Sequence, residues 1–193
     1  MTNKKDMVLG IGNPQFADDG FGVRAVHELH RLWRFSDQVE LVDGGTQGFL
    51  LLSHVLSARR LIVFDVVDNG LEPGTLLVLE NEQVPRLMLD KKLSLHQSGL
   101  QDALIVAALT GNFPERLVLV GVQPAHIAAE GRMSEAVTAR ISRAVQIALS
   151  HLEHWGNAAE LRNENANSPE AFLTADLMAA GAGSVCTWQA VAC

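Results

Sequence analysis

The run Leu61-Ile62-Val63-Phe64, set between Arg60 and Asp65, has no polar alternation, and it constrains the fold more than any other stretch of the chain. A strand that is apolar on both sides must be covered on both sides, the situation inside a parallel sheet sandwiched by helices. Arg116 to Val122 repeats the pattern, and Met7 to Gly12 and Val39 to Asp43 are shorter stretches of the same character. Helical spacing fills the intervals. Val23, Val26, Leu29, Leu32 and Trp33 fall on one face of Phe21 to Phe35, Phe49 to Ala58 reads as a short buried helix, and Ser98 to Leu109 as a longer one. Ser134 to Trp155 reads as a closing helix, with Ser134 as N-cap and Glu135 in the first turn. The strict alternation breaks in the middle: Glu72-Pro73-Gly74 is turn chemistry, Thr75 to Leu79 is β-rich, and Val84-Pro85-Arg86 reads as a return to loop. The fold class this predicts is α/β, a three-layer αβα sandwich around a mostly parallel, mixed sheet of about five strands.

After Gly156 the chain turns Asn- and Glu-rich, then small and flexible over Ala179 to Gly183. The reading therefore divides it into a domain over residues 1–155 and a flexible C-terminal tail over 156–193, in which any structure would be irregular. With 193 residues, 48% of them hydrophobic, such a chain can bury roughly 70% of its unfolded surface without a disulfide or a structural metal.

Fifteen Lys and Arg against 22 Asp and Glu leave a formal charge of −7. That balance argues against nucleic acid or an anionic membrane as partner, since both demand a clustered basic face. No apolar run approaches the roughly 20 residues of a membrane helix, and the stretch Met7 to Asn13 is no signal-peptide core. Cys186 and Cys193 stand outside any C-x-x-C arrangement, so neither a zinc knuckle nor a disulfide framework is indicated. The expectation is a cytoplasmic protein without membrane insertion.

Ligands of parallel α/β sheets bind where the strands end, and the strand ends here are acidic. The first is followed by Asn13 and Asp18-Asp19, the second ends in Asp43-Gly44-Gly45-Thr46, and the third in Asp65 with Asp68 just beyond. If the strands run parallel, these acids meet, and His96 in Leu93-Ser94-Leu95-His96-Gln97 adds an imidazole. Each residue also has a plainer reading: Asp65 as a loop cap, Asp43 as a turn residue before two glycines, one of Asp18 and Asp19 as a helix cap, and His96 as a hydrogen-bonded loop histidine. A carboxylate and imidazole set of this kind accepts Ni, Zn, Mn or Cd and leaves coordination positions open. His27 with His30, and His151 with His154, lie at i,i+3, and His27-Glu28-Leu29-His30 is one residue short of H-E-x-x-H, so these read as helix-surface residues. Gly10-Ile11-Gly12-Asn13 falls short of a dinucleotide fingerprint, because its third glycine would be Gln15 and Pro14 breaks the turn; a nucleotide binder would need a phosphate on that loop. There is no P-loop and no G-x-S-x-G elbow. Water activated by a carboxylate or a metal is the chemistry left.

Gly10-Ile11-Gly12-Asn13, Asp18-Asp19-Gly20-Phe21-Gly22-Val23-Arg24 and Asp43-Gly44-Gly45-Thr46-Gln47-Gly48, taken in order, resemble the hydrogenase maturation endopeptidases. Leu61 to Asp65, Glu72-Pro73-Gly74-Thr75, Ser94-Leu95-His96-Gln97 and Leu119-Val120-Gly121-Val122-Gln123-Pro124 extend the resemblance over residues 7 to 155. What it implies is removal of a short C-terminal peptide from the [NiFe] hydrogenase large-subunit precursor once nickel is inserted. It also implies a metal contact made by Asp19, Asp65 and His96, the nickel being that of the substrate, with no organic cofactor. Many relatives have glutamate at the position of Asp19, which leaves Asp18 as the alternative ligand. For the chemical step, Asp43 is the expected base beside Asp65 and Asp19, with the Gly44 and Gly45 amides as oxyanion donors. The competing function is a non-catalytic, nickel-sensing chaperone of the large subunit.

Overall fold

In the computed structural model the apolar segments become neighbouring strands, with residues 4–46, 51–90, 95–129, 131–162 and 185–187 described, and the side chains of 88–90, 95–98 and 185–187 outside that description. The strands are β1 (Lys5–Ile11), β2 (Trp33–Arg34), β3 (Val39–Gly45), β4 (Ala58–Val66), β5 (Leu76–Glu80), β6 (Arg116–Val122), β7 (Glu160–Leu161) and β8 (Val185–Thr187). The helices are α1 (Phe21–Leu32), α2 (Leu51–Ser57), α3 (Gln83–Asp90), α4 (Leu95–Leu109), α5 (Glu135–Thr138) and α6 (Ile141–His154). The main sheet has the order β3-β1-β4-β6-β5-β8. β3, β1, β4 and β6 run parallel, and β5 returns antiparallel against β6. The sheet is therefore mixed and mostly parallel, as expected, with its five main strands extended by the three residues of β8.

Alternation along the strands sends side chains to two separate cores. Met7, Leu9, Leu61, Val63, Leu117 and Leu119 pack with Leu51, Val55, Leu100 and Leu104 of α2 and α4. Val8, Ile62, Phe64, Val118 and Val120 face Phe21, Val26 and Leu29 of α1 and Val145 and Leu152 of α6. Sheet strands buried on both faces are what the unbroken apolar runs require.

Several local expectations change. Residues 83–90 form a helix rather than a loop, because Pro85 falls in its first turn, where a missing N–H breaks no intrahelical bond. The predicted helix 134–155 is two helices, interrupted where the Arg140 N–H reaches back only three residues to Val137 O. Its cap is as predicted, with Ser134 Oγ accepting from Val137 N at 3.3 Å. α4 begins at Leu95, so His96 lies in a helical first turn and not in a loop. The segment after Gly156, expected to be irregular, supplies β7, antiparallel to β2, and β8, parallel to β5.

A buried carboxylate locks the end of the sheet away from the acidic strand ends. Asp6, fully buried, accepts from Arg59 Nε at 3.0 Å, Arg60 Nε at 2.8 Å and Asn157 Nδ2 at 2.6 Å, and Arg60 Nη2 binds it as well. The Arg60 guanidinium also lies 5.0 Å above the Trp155 ring. Burial pushes the Asp6 carboxyl up, but the bonds from Arg60, Arg59 and Asn157 outweigh it and lower its pKa from 3.8 to about 2. Because the folded value is the lower one, the stabilisation is present above the ordinary carboxylate range and is lost as pH falls towards 2. Asp6→Ala leaves two guanidiniums without their partner and is expected to cost about 3 kcal/mol, the lower end for a buried pair because Arg59 can hydrate. Thermal melts at neutral pH should show this, and the gap from the unsubstituted chain should narrow between pH 4 and 2.

Candidate active site

Glycines bring the first loop down onto the strands. A Cβ on Gly22 would stand 2.2 Å from Ile11 O and 2.3 Å from Phe64 O, so α1 starts in backbone contact with β1 and β4. Gly12 has φ +126°, and a Cβ there would meet Asp19 O at 1.9 Å. The close approach expected of a phosphate-binding glycine loop is used instead to seat the turn Ala17–Gly20.

That turn separates its two aspartates. Asp18, fully buried, accepts from Ala125 N at 2.8 Å, His126 N at 3.1 Å, Ser134 N at 2.6 Å and Ser134 Oγ at 3.0 Å. Burial raises its pKa, and the hydrogen bonds from Ser134, His126 and Ala125 more than reverse this, holding it below the usual range. Asp18 is thus a staple between the first loop and the loop after β6. Asp19, only 3% exposed, accepts from Asn13 N at 2.9 Å and sits over the end of β1.

Asp65 is the penultimate residue of β4, the hydrogen-bonded neighbour of β1, one residue beyond the pair Gly10 and Phe64. It is 1% exposed and accepts from Val66 N at 2.8 Å. Its parity matches Leu61 and Val63, so its side chain projects on the face covered by α2 and α4. His96 occupies the first turn of α4, which packs on that same face; its side chain lies outside the description. Asp19 therefore comes from the turn over the end of β1, Asp65 from the end of β4, and His96 from the helix packed on Asp65's face of the sheet. Among the described residues no three His, Cys, Asp or Glu side chains are grouped to hold a metal ion.

Asp43 does not join them as expected. It shares parity with Val39 and Leu41, which face α1, so it projects from the opposite face to Asp65. Its Oδ2 accepts from His27 Nε2 of α1 at 2.8 Å, and its Oδ1 accepts from Gly45 N at 3.0 Å. The second bond also occupies an amide expected to serve an oxyanion. Gln47 and Gly48, and Ser94 of the His96 motif, lie outside the described residues. Sequence reasoning missed two residues here. His27, read as a surface histidine, holds Asp43, and Gln123 braces the loop after β4 by accepting from Asn69 N and Leu71 N and donating to Asp68 Oδ1. For Gln123 the signal was its place directly after the last parallel strand.

The architecture is that of a mixed-sheet α/β protein with buried carboxylates at the carboxyl ends of adjacent parallel strands, where such folds place their chemistry. The family model for hydrogenase maturation protease (HycI) matches residues 23–151. Similar proteins include the hydrogenase expression/formation protein HupM of Azotobacter chroococcum, 51% identical over 83% of this chain and 77% of that one. The hydrogenase 2 maturation protease of Escherichia coli is 38% identical over 78% of this chain and 92% of its own length. The solved structure of the maturating endopeptidase HybD from E. coli superposes with a TM-score of 0.79 at 36% identity, covering 83% of this chain and 99% of that one. The chain belongs to the hydrogenase maturation protease family. It is a hydrogenase maturation endopeptidase, an enzyme that processes the C-terminus of a hydrogenase large subunit.

Proposed function

We propose that this chain removes a short C-terminal peptide from a [NiFe] hydrogenase large-subunit precursor in the cytoplasm, and that Asp19, Asp65 and His96 read the nickel already inserted there. What supports this reading is the pair of nearly buried carboxylates, Asp19 over the end of β1 and Asp65 at the end of its hydrogen-bonded neighbour β4, with α4, the helix that carries His96, packed on the face to which Asp65 projects. An open set of two carboxylates and one imidazole has the hardness to touch a nickel ion not yet enclosed by its own ligands. A precursor without nickel offers this site nothing to bind.

In the hydrolytic step a water oxygen attacks the scissile carbonyl carbon, a carboxylate of the Asp19 and Asp65 pair takes the water's proton, and the C–N bond breaks as the leaving amine is protonated. Asp43, on the other face of the sheet, has the role of a turn and brace residue. Among the described residues no helix is long and apolar enough to cross a membrane.

The test is intact-mass spectrometry of the cognate precursor, loaded with nickel or nickel-free, after incubation with this protein and no other factor. Loss of a C-terminal peptide from the loaded form alone is the expected result. Cleavage of both forms removes the metal gate, and a tight, uncleaved complex with the loaded form overturns nickel loading as the trigger for the cut.

A further inference from the structure

We infer that His27 is a positioning residue for this endopeptidase: through Asp43 it fixes the corner of the sheet on which Asp19 rests. The link to processing rests on the reading of Asp19 given above; the geometry does not. His27 donates to Asp43 Oδ2 at 2.8 Å, and the other oxygen of the same carboxylate accepts from Gly45 N at 3.0 Å. Gly45 has φ +47° and lies where the register between β1 and β3 slips, the residue paired with Gly10 being Asp43 and that paired with Ile11 being Gly45. A bulge of this kind re-aims the backbone at a strand end. Gly45 O then accepts from Gly12 N at 3.0 Å. Gly12 lies flat against the Asp19 backbone, and Asn13 N donates to the Asp19 carboxylate at 2.9 Å.

These contacts close a ring. Asp19 leads through Gly20 directly into α1, α1 carries His27, and His27 returns through Asp43, Gly45, Gly12 and Asn13 to Asp19. With side chains 62% and 43% exposed, the pair of His27 and Asp43 contributes little to global stability. What it does is hold one rotamer of Asp43, and so one geometry of the bulge. Opening the ring at His27 leaves the bond from Gly12 N to Gly45 O in place but releases the Asp43 rotamer that sets the geometry of the bulge beneath it.

His27→Ala is the opening variant and His27→Gln its rescue, since a glutamine amide nitrogen has about the same reach as imidazole Nε2 and can donate to Asp43. The first readout is amide hydrogen exchange of the full chain, where Gly45 and Gly12 should exchange roughly tenfold faster in H27A and return towards the starting rate in H27Q. The second is processing of nickel-loaded precursor, where kcat should fall about tenfold in H27A with KM changed less than about twofold, and H27Q should recover most of it. Unchanged exchange at Gly45 and Gly12 overturns the inference, as does faster exchange with an unaltered kcat. A loss that H27Q fails to recover, accompanied by a lower melting temperature, reduces His27 to a structural residue and overturns it too. Asp19→Asn run alongside separates the two claims: full processing by that variant sinks the proposed site, while the exchange data still decide the ring.

Discussion

Asp65→Asn is expected to abolish C-terminal processing while leaving the fold intact. The side chain is 1% exposed at the end of β4, and its Oδ1 accepts from Val66 N at 2.8 Å. An asparagine oxygen accepts that bond at the same length, so the substitution changes charge and ligand strength with almost no change in shape. If Asp65 contacts the precursor's nickel or polarises the water beside it, removing the charge raises the barrier by several kcal/mol, a fall of roughly 10²-fold or more in kcat/KM. Asp43→Asn is the matched control. Its amide oxygen can still accept from Gly45 N, and its place on the other face of the sheet predicts a loss of no more than about tenfold. The measurement is the rate of precursor shortening by intact mass, with thermal melts of both variants. Wild-type rates from D65N remove Asp65 from the site, and a dead D43N restores Asp43 as the base.

The sheet was legible because its signal is local. Unbroken apolar runs such as Leu61 to Phe64 state that both faces are covered, and the glycines flanking Asp18-Asp19 and following Asp43 mark where the chain leaves the strands. The acids at those ends were legible for the same reason. The face each acid takes was not. Strand parity tells that Leu61, Val63 and Asp65 share one side and that Val39, Leu41 and Asp43 share one side, but relating the two strands needs the register through β1, which no local pattern carries. Asp18 and Asp19 differ for an equally non-local reason: the amides that claim Asp18 come from 107 and 116 residues away. Asp6 gives the same lesson, since Asn157 reaches it across 151 residues. His27 could be placed on the exposed face of α1 from helical spacing, but its partner became visible only with the β3 edge beside it. Pro85 is ambiguous for a local reason: a proline ends a helix from its interior but breaks nothing in the first turn, and the start of α3 at Gln83 puts it there.

Gly22→Ala is expected to cost the protein its native state, or more than about 4 kcal/mol if it folds at all, which is the range reserved for clashes that no side-chain adjustment relieves. The added methyl would sit 2.2 Å from Ile11 O, 2.3 Å from Phe64 O and 2.8 Å from Ile11 N, and all three are backbone atoms of the neighbouring strands β1 and β4. Gly10 faces the same crossing, its own Cβ position being 2.3 Å from Gly22 O. Relief therefore means lifting α1 away from the sheet. Phe21, Ala25, Val26 and Leu29, all buried on that face, would lose their packing together, and the turn carrying Asp19 would move with the helix it leads into. Gly111→Ala supplies the comparison, because Gly111 has φ +67° with nothing within 4 Å of its Cβ position, so only backbone strain of about 1 kcal/mol is expected there. Far-UV circular dichroism melts of the two variants decide the matter. A Gly22→Ala protein melting as high as Gly111→Ala would mean that the helix can stand off these strands at little cost, and that the close approach of α1 is not what holds Asp19 in place.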